Sequence, residues 1–405
     1  MRLRLLRIPR ETRASPVNSV LILHPYDRLS PRVEQEIIAL CAAGYRIHVM
    51  SWARAQETGS YKPREGVTLE AIQFPAPKGT LRLLFYLPRL YSQLRRNLKG
   101  RAYDIVHCTH VMLLPFAVFW GRRHKAKIVY DVYEFHLEEI AEKLPRPLRW
   151  AIPLLRRLES VLVRRTNGVL TVDSKDGWLE HHYRRYSNNV AVLYNVPDIN
   201  FSLNPEKIQQ LGNRYQDRSV VLYVGGLSRE KGAIQAIEIA KRVAQRAPES
   251  LFLFIGAFQG KTEEAFWDRI HAQGLQGNVE FISWLPYNEM LHYVAISKVG
   301  LILHQPTARY HLLGKGNGRK AFTYMQLGIP IVAPEFGEVG QVVREELCGI
   351  LVNTLNPQEV ADAIVHLLGN PSEARVLGER GRKAILEKYN WGIEQRELMA
   401  VYEKL

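Results

Sequence analysis

The residues best suited to chemistry cluster in two glycine-containing segments of the second half. In HLLGKGNGRKAFTYMQLGIPIVA, Gly314, Gly316 and Gly318 precede the basic pair Arg319–Lys320. Glycines let a backbone approach a ligand closely. A helix opening at that pair would aim free amides and an ammonium at an anion. That is chemistry for a phosphate or diphosphate, with a lysine–phosphate hydrogen bond contributing about 1.5–3 kcal/mol. The competing reading is a flexible glycine loop with solvated bases. It is not a P-loop, because no GxxxxGK[ST] occurs. In VVLYVGGLSREKGAIQAIEIA, Gly225 and Gly226 follow a strand directly, and Lys231 and Gly232 precede the next helix. Lys231 can reach the same phosphate. The turn SWLP, with Trp284 and Leu285, reads either as a nucleobase shelf or as an ordinary strand end.

The first half offers proton-transfer groups. His24 and Asp27 follow the first strand, and His110, Asp131 and Glu134 follow later ones. An acceptor hydroxyl that must lose its proton needs a general base, and Asp27, Asp131 or Glu134 can serve. For each of these residues alone, a structural role is the competing reading. Paired aspartates around a divalent ion are the common metal-dependent arrangement, but no DxD triplet is present. The expectation is therefore a site with no metal and no cofactor, in which lysines and helix amides neutralise developing charge.

These residues need a scaffold that presents strand ends. Short β-rich runs alternate with amphipathic stretches: SVLIL, YRIHVMSW, VTLEAI, YDIVHC, KIVYD, GVLTV and VAVLY in the first half, then SVVLYVGG, SLFLFIG, NVEFIS, VGLIL, IPIVA and GILV. Between strands, Val33, Ile37, Leu40 and Cys41 share one helical face, as do Val360, Ile364, Leu367 and Leu368. Repeated βαβ order implies parallel sheets covered by helices. The polar segment NVPDINFSLN separates the two series. The expectation is α/β: two Rossmann-like, doubly wound domains, residues 1–198 and 199–390, with ligands outside the carboxyl ends of the strands. A last helix, 391–405, is placed to cross back to the first domain.

Charge points to a partner. The 405 residues carry 55 Lys+Arg and 40 Asp+Glu, a net +15, in an otherwise ordinary globular composition of 46% apolar and 23% charged residues. Residues 1–200 hold 32 basic and 18 acidic side chains, a balance of +14, while 201–405 hold 23 and 22, a balance of +1. The asymmetry implies an anionic partner for the first half. Residues 80–99 read as a helix with Arg82, Arg89 and Arg96, seven apart, on one face and Leu84, Tyr91 and Leu98 on a neighbouring stripe, and Pro88 is expected to kink or break it. Residues 147–165 repeat the theme with Arg149 and Arg156, and with Arg157 and Arg164. These read as a solvated basic face or as a surface lying on anionic lipid, where each cation adds ~1 kcal/mol. Phe85, Tyr86, Tyr91 and Trp150 favour lipid over nucleic acid, for which no motif is visible. No stretch reaches the ~20 apolar residues of a membrane span. The N-terminus lacks a secretory signal, and Cys41, Cys108 and Cys348 are too dispersed for a disulfide framework. The expected location is cytoplasmic, peripheral on the inner face of the membrane.

The order of YDIVHCTH, KIVYDVYEF, GVLTVDSKDGWLEHHY, VLYNVPD, LYVGGLSREKG, NVEFISWLP, RKAFTYMQLGIPIVA and CGILV resembles the GT-B glycosyltransferases, especially glycosyltransferase family 4, over nearly the whole chain. The resemblance implies a nucleotide sugar bound mainly by the C-terminal domain, through Gly225, Gly226, Lys231, Trp284, Leu285, Gly318, Arg319, Lys320 and Thr323. It implies an acceptor, lipid-linked or saccharide, on the N-terminal domain near His110, Asp131, Glu134 and Asp27. The sequence departs from the family pattern at several positions. Gly226 stands where many members have Arg. Lys315 and Thr323 replace the usual pair of glutamates. Thr109 and Tyr133 replace two histidines. The function expected is sugar transfer at the membrane face. The alternatives are a GT-B protein that binds without turnover and a nucleotide-sugar epimerase.

Overall fold

The computed structural model describes residues 18–26, 29–54, 65–77 and 81–405. Among the described residues, thirteen strands form where the β-rich runs lie, in two sheets. The first contains β1 (Ser19–His24), β2 (Arg46–Ala53), β3 (Val67–Gln73), β4 (Ile105–Cys108), β5 (Lys127–Val132), β6 (Gly168–Thr171) and β7 (Val190–Val192), in the order β3-β2-β1-β4-β5-β6-β7. The second contains β8 (Ser219–Val224), β9 (Ser250–Ile255), β10 (Val279–Ile282), β11 (Val299–Leu301), β12 (Ile331–Pro334) and β13 (Gly349–Val352), in the order β10-β9-β8-β11-β12-β13. The pairings are parallel, as in Val20↔Ile47 with Val20↔Ile105, and Val220↔Leu251. In both sheets the order reverses beside the first strand of the series, which leaves a crevice at its carboxyl end.

Parallel strands buried on both faces read as continuous apolar runs. In the second sheet, Tyr223, Phe252 and Phe254 pack on one face with the helices Ala233–Ala244 and Pro357–Gly369. Leu222, Val224 and Leu253 pack on the other with Phe322 and Met325 of the helix Arg319–Gln326.

By packing, the chain divides into two compact units, Met1–Asp131 with Arg165–Asn167, and Val132–Arg164 with Gly168–Leu405. The last helix, Trp391–Tyr402, belongs to the second unit and packs on β6 and β7. A Cβ on Gly168 of β6 would lie 2.7 Å from the Val401 methyl. Asn189 donates to the Val401 carbonyl at 3.0 Å, and Glu394 accepts from the Tyr194 amide at 2.7 Å.

The helix expected over residues 80–99 is built differently. Residues Leu81–Tyr86 form a 3₁₀ segment, and the α-helix runs only from Leu87 to Asn97. Pro88 sits in the first turn of this α-helix, where a missing amide costs nothing, so the expected helix breaks at the junction just before it and is not kinked. The change of pitch breaks the seven-residue stripe. Leu84 is exposed, Tyr91 is half-buried and donates to the Met112 carbonyl, and Leu98 is buried.

Candidate functional site: a buried lysine at a strand crevice

In the second unit, the carboxyl end of β8 runs into Gly225, which holds φ +105°, a value that side-chain-bearing residues rarely adopt. Its missing Cβ is filled by Lys320: a Cβ there would lie 3.0 Å from Lys320 Cε and 3.5 Å from its Nζ. The helix Arg319–Gln326 delivers this lysine. Tyr324 pins that helix to the sheet, donating to the Leu222 carbonyl at 2.8 Å and accepting from the Val224 amide at 3.1 Å. The Lys320 ammonium lies 4.7 Å from the centre of the Tyr223 ring, and its Nζ is buried with no hydrogen-bond partner. Burial, reinforced by the charge of Lys231, pushes its pKa down to about 7, with Glu338 opposing. A buried cation without a partner is costly, and an arriving anion removes that cost.

Around it, Lys231 donates to Gln259 Oε1 at 3.3 Å. Gln259 lies over Gly226, where a Cβ would come within 2.5 Å of its amide nitrogen. The glutamine occupies the space that a larger residue at 226 would need. Gly232, at φ +75°, would place a Cβ 2.3 Å from the Leu303 carbonyl, so the turn that carries Lys231 requires glycine. Buried His304 faces buried Glu338 at 3.5 Å and stacks on Tyr310 at 4.2 Å. Burial lowers the His304 pKa, and the Glu338 hydrogen bond partly opposes this. Sequence reasoning missed Tyr223, Gln259, His304 and Glu338. Only Tyr223 and Gln259 left a trace, one just before the glycine pair and one just after β9.

The remaining donor-side residues divide. Trp284 is 56% exposed on the turn after β10, and Leu285 packs into the apolar core beneath. Arg319 is exposed. Thr323 is buried, and its hydroxyl donates to the Arg319 carbonyl at 3.0 Å within its own helix. The glycine loop does not open toward a ligand as expected. A Cβ on Gly314 would lie 2.4 Å from the Asp173 carboxyl carbon, and one on Gly316 would lie 2.4 Å from the Tyr194 ring. The Gly316 amide donates to Asp173 Oδ2 at 3.0 Å. A Cβ on Gly318 would lie 3.2 Å from the Lys315 carbonyl oxygen and 3.4 and 3.6 Å from Val342 and Phe322. Gly314 and Gly316 admit the chain's own segment, and Gly225 is the glycine that makes room for Lys320.

In the first unit, His110 is buried, accepts from the Met112 amide at 3.1 Å and meets Tyr26 edge-on at 6.0 Å. His24 pairs with Thr109 Oγ1 at 2.9 Å. Asp131 is fully buried, and Arg32 donates to it at 2.6 Å, so its carboxylate faces the interior and not an acceptor. Glu134, which belongs to the second unit, is exposed. Asp27 lies outside the described residues.

Two family models match: Glycosyl transferases group 1 over residues 204–384, and Glycosyl transferase 4-like domain over residues 29–193. The chain belongs to this glycosyltransferase group. Alpha-D-kanosaminyltransferase of Streptomyces kanamyceticus is 25% identical over 198 residues, 48% of this chain and 49% of that protein. The chain thus spans about half the length of the first curated relatives it matches. Among solved structures, sucrose-phosphate synthase from Thermosynechococcus elongatus superposes with a TM-score of 0.70 at 16% identity, covering 96% of this chain and 98% of that one. Anabaena HepE in complex with UDP-glucose gives 0.68 at 16% identity, covering 96% and 100%. The fold is GT-B, with two Rossmann-like parallel-sheet domains.

Proposed function

We propose that the protein transfers a sugar from a nucleotide-diphosphate donor to a lipid-linked or saccharide acceptor. The carrying observation is the buried, unpartnered Lys320 amine against Gly225 at the end of β8. In this reading Lys320, Lys231 and the amides at the start of Arg319–Gln326 take up the charge that grows on the departing diphosphate. Trp284 offers an exposed ring for the base, and Glu134 an exposed carboxylate for the acceptor side. The UDP-glucose in the HepE complex supports a nucleotide-sugar partner.

The acceptor side of this reading lies at an anionic membrane surface. Trp150, Leu154, Leu158 and Val161 are all exposed along the helix Ala151–Val163 and its first flank, Trp150 at 71%. They recur every three to four residues, which places them on one face. Arg149, Arg157 and Arg164 are exposed on the same segment. In the first unit, Phe85 is 83% exposed beside exposed Leu84. No helix among the described residues is long and apolar enough to cross a membrane.

A second reading, binding without turnover, is favoured by Thr323, a buried hydroxyl that donates to the Arg319 carbonyl where the resemblance leads one to expect a carboxylate. One experiment separates the two. Thermal stability is followed with UDP, GDP and ADP, and a panel of nucleotide sugars is screened for hydrolysis and transfer. Transfer lost in Lys320→Ala supports the enzyme. If nucleotides stabilise the protein but no panel member turns over, binding alone remains. Failure of all three nucleotides to stabilise it at millimolar concentration overturns the donor site.

A further inference from the structure

Lys320 is carried by a helix of only 8 residues, Arg319–Gln326. A helix this short is marginal by itself and holds a side chain in one place only where its ends are held. Tyr324 holds the later part against β8. The start is held by a different set of residues, brought from the loops that follow β6 and β7. All of them lie in the second unit.

The loop after β6 carries Asp173. Its carboxylate accepts from the Gly316 amide at 3.0 Å, and its carbonyl accepts from the Gly314 amide at 3.4 Å and from Asn317 Nδ2. The next residue, Ser174, forms an antiparallel bridge with Leu313. From the loop after β7, the Asn195 amide donates to the Gly316 carbonyl at 2.7 Å, and Asn195 Nδ2 donates to Asn317 Oδ1 at 3.3 Å. Gly316 thus gives its amide to one loop and its carbonyl to the other, while the Tyr194 ring occupies the space of its absent Cβ.

This turn leads straight into the helix. The Gly318 amide donates to the Lys315 carbonyl at 3.0 Å, closing the 3₁₀ segment Lys315–Asn317. The Phe322 amide then donates to the Gly318 carbonyl at 2.9 Å. Lys320 lies inside that bond. We propose that Asp173 is a positioning residue for Lys320: by accepting from the Gly316 amide it sets where the helix Arg319–Gln326 starts, and so where the lysine amine is delivered beside Gly225. This role rests on the donor-site reading only in taking Lys320 as the ligand of the diphosphate. A carboxylate accepting from a backbone amide makes a charge-assisted bond, stronger than a neutral one. It is a supporting contact of the kind that keeps a binding group in register.

Two readouts on the full chain test it. The ¹⁵N resonance of Lys320 Nζ, identified by its loss in Lys320→Met, is followed against pH, and UDP, GDP and ADP are titrated by calorimetry. Asp173→Ala removes the acceptor, whereas Asp173→Asn keeps an oxygen in its place. In Asp173→Ala the amine should leave its buried position, so its titration midpoint should move from about 7 toward the ordinary 10.5. Lys231 and Glu338, its charged neighbours, are left unchanged in these variants. Affinity for whichever nucleotide binds wild type should fall about tenfold or more, the size of a lost hydrogen bond to a charged group. Asp173→Asn should keep wild-type behaviour in both readouts.

A merely structural residue would lower stability and leave the lysine midpoint where it was. An unmoved midpoint in folded Asp173→Ala therefore overturns the proposal. So does an equal shift in Asp173→Asn and Asp173→Ala, which would mean that charge and not the accepted bond matters. If Asp173→Ala does not fold, Asp173→Ser, whose hydroxyl is one bond short of the carboxylate oxygen, takes its place with the same expectations. If no nucleotide binds wild type, the donor-site reading fails, and the lysine midpoint still decides the role of Asp173.

Discussion

Lys320 reaches its crevice with no hydrogen-bonding partner for its Nζ. Burial and Lys231 lower its pKa to about 7, so above that pH the free protein holds it mainly neutral. A diphosphate favours the charged form, and binding at higher pH must then draw a proton from solution. We expect nucleoside diphosphate affinity to fall by up to tenfold per pH unit above about 7. Calorimetry at pH 8 in two buffers of different ionisation heat should show uptake of nearly one proton, and none in Lys320→Met. Uptake that persists in the variant would assign the proton elsewhere. Lys320 itself was legible in the sequence, as a base at a helix start. The roles of Gly314 and Gly316 were not. Their partners, Asp173 and Tyr194, lie over a hundred residues away, and no local pattern distinguishes a glycine that admits a ligand from one that admits another part of the chain.

At the scale of elements, the site depends on how β8 ends. Gly225 supplies both a left-handed backbone and an absent Cβ where Lys320 passes. Gly225→Ala should cost about 1–3 kcal/mol of stability through backbone strain. It should also displace the lysine and weaken nucleotide binding at least tenfold. Urea unfolding and a nucleotide titration check both, and an alanine variant that binds like wild type would remove Gly225 from the site. The thirteen strands were all readable, because parallel strands buried on both faces need unbroken apolar runs such as SLFLFI. Helices were harder where one pitch gives way to another. The seven-residue arginine spacing around Pro88 suggested one helix, but a proline in the first α-turn joins a 3₁₀ segment to an α-helix. Nor could the spacing of Arg32 and Asp131 announce a contact 99 residues apart.

For the whole molecule, the proposed anionic bilayer would account for both the excess positive charge and the exposed apolar residues. The first 200 residues carry a balance of +14, and the helix Ala151–Val163 adds an apolar face. Binding to phosphatidylglycerol vesicles should weaken steeply between low and physiological salt. It should also weaken in a Leu154→Glu, Leu158→Glu double variant whose unfolding free energy stays within about 1 kcal/mol of wild type. Equal binding to neutral vesicles, or no loss in the variant, would detach the patch from any membrane role. The helix Trp391–Tyr402 has a different consequence, for the order in which the protein can be made. On the ribosome, β6 ends at Thr171, but the helix that covers it begins at Trp391, 220 positions later. The part of β6 and β7 that this helix covers therefore waits uncovered through most of synthesis, a lasting target for a chaperone that shields exposed strands.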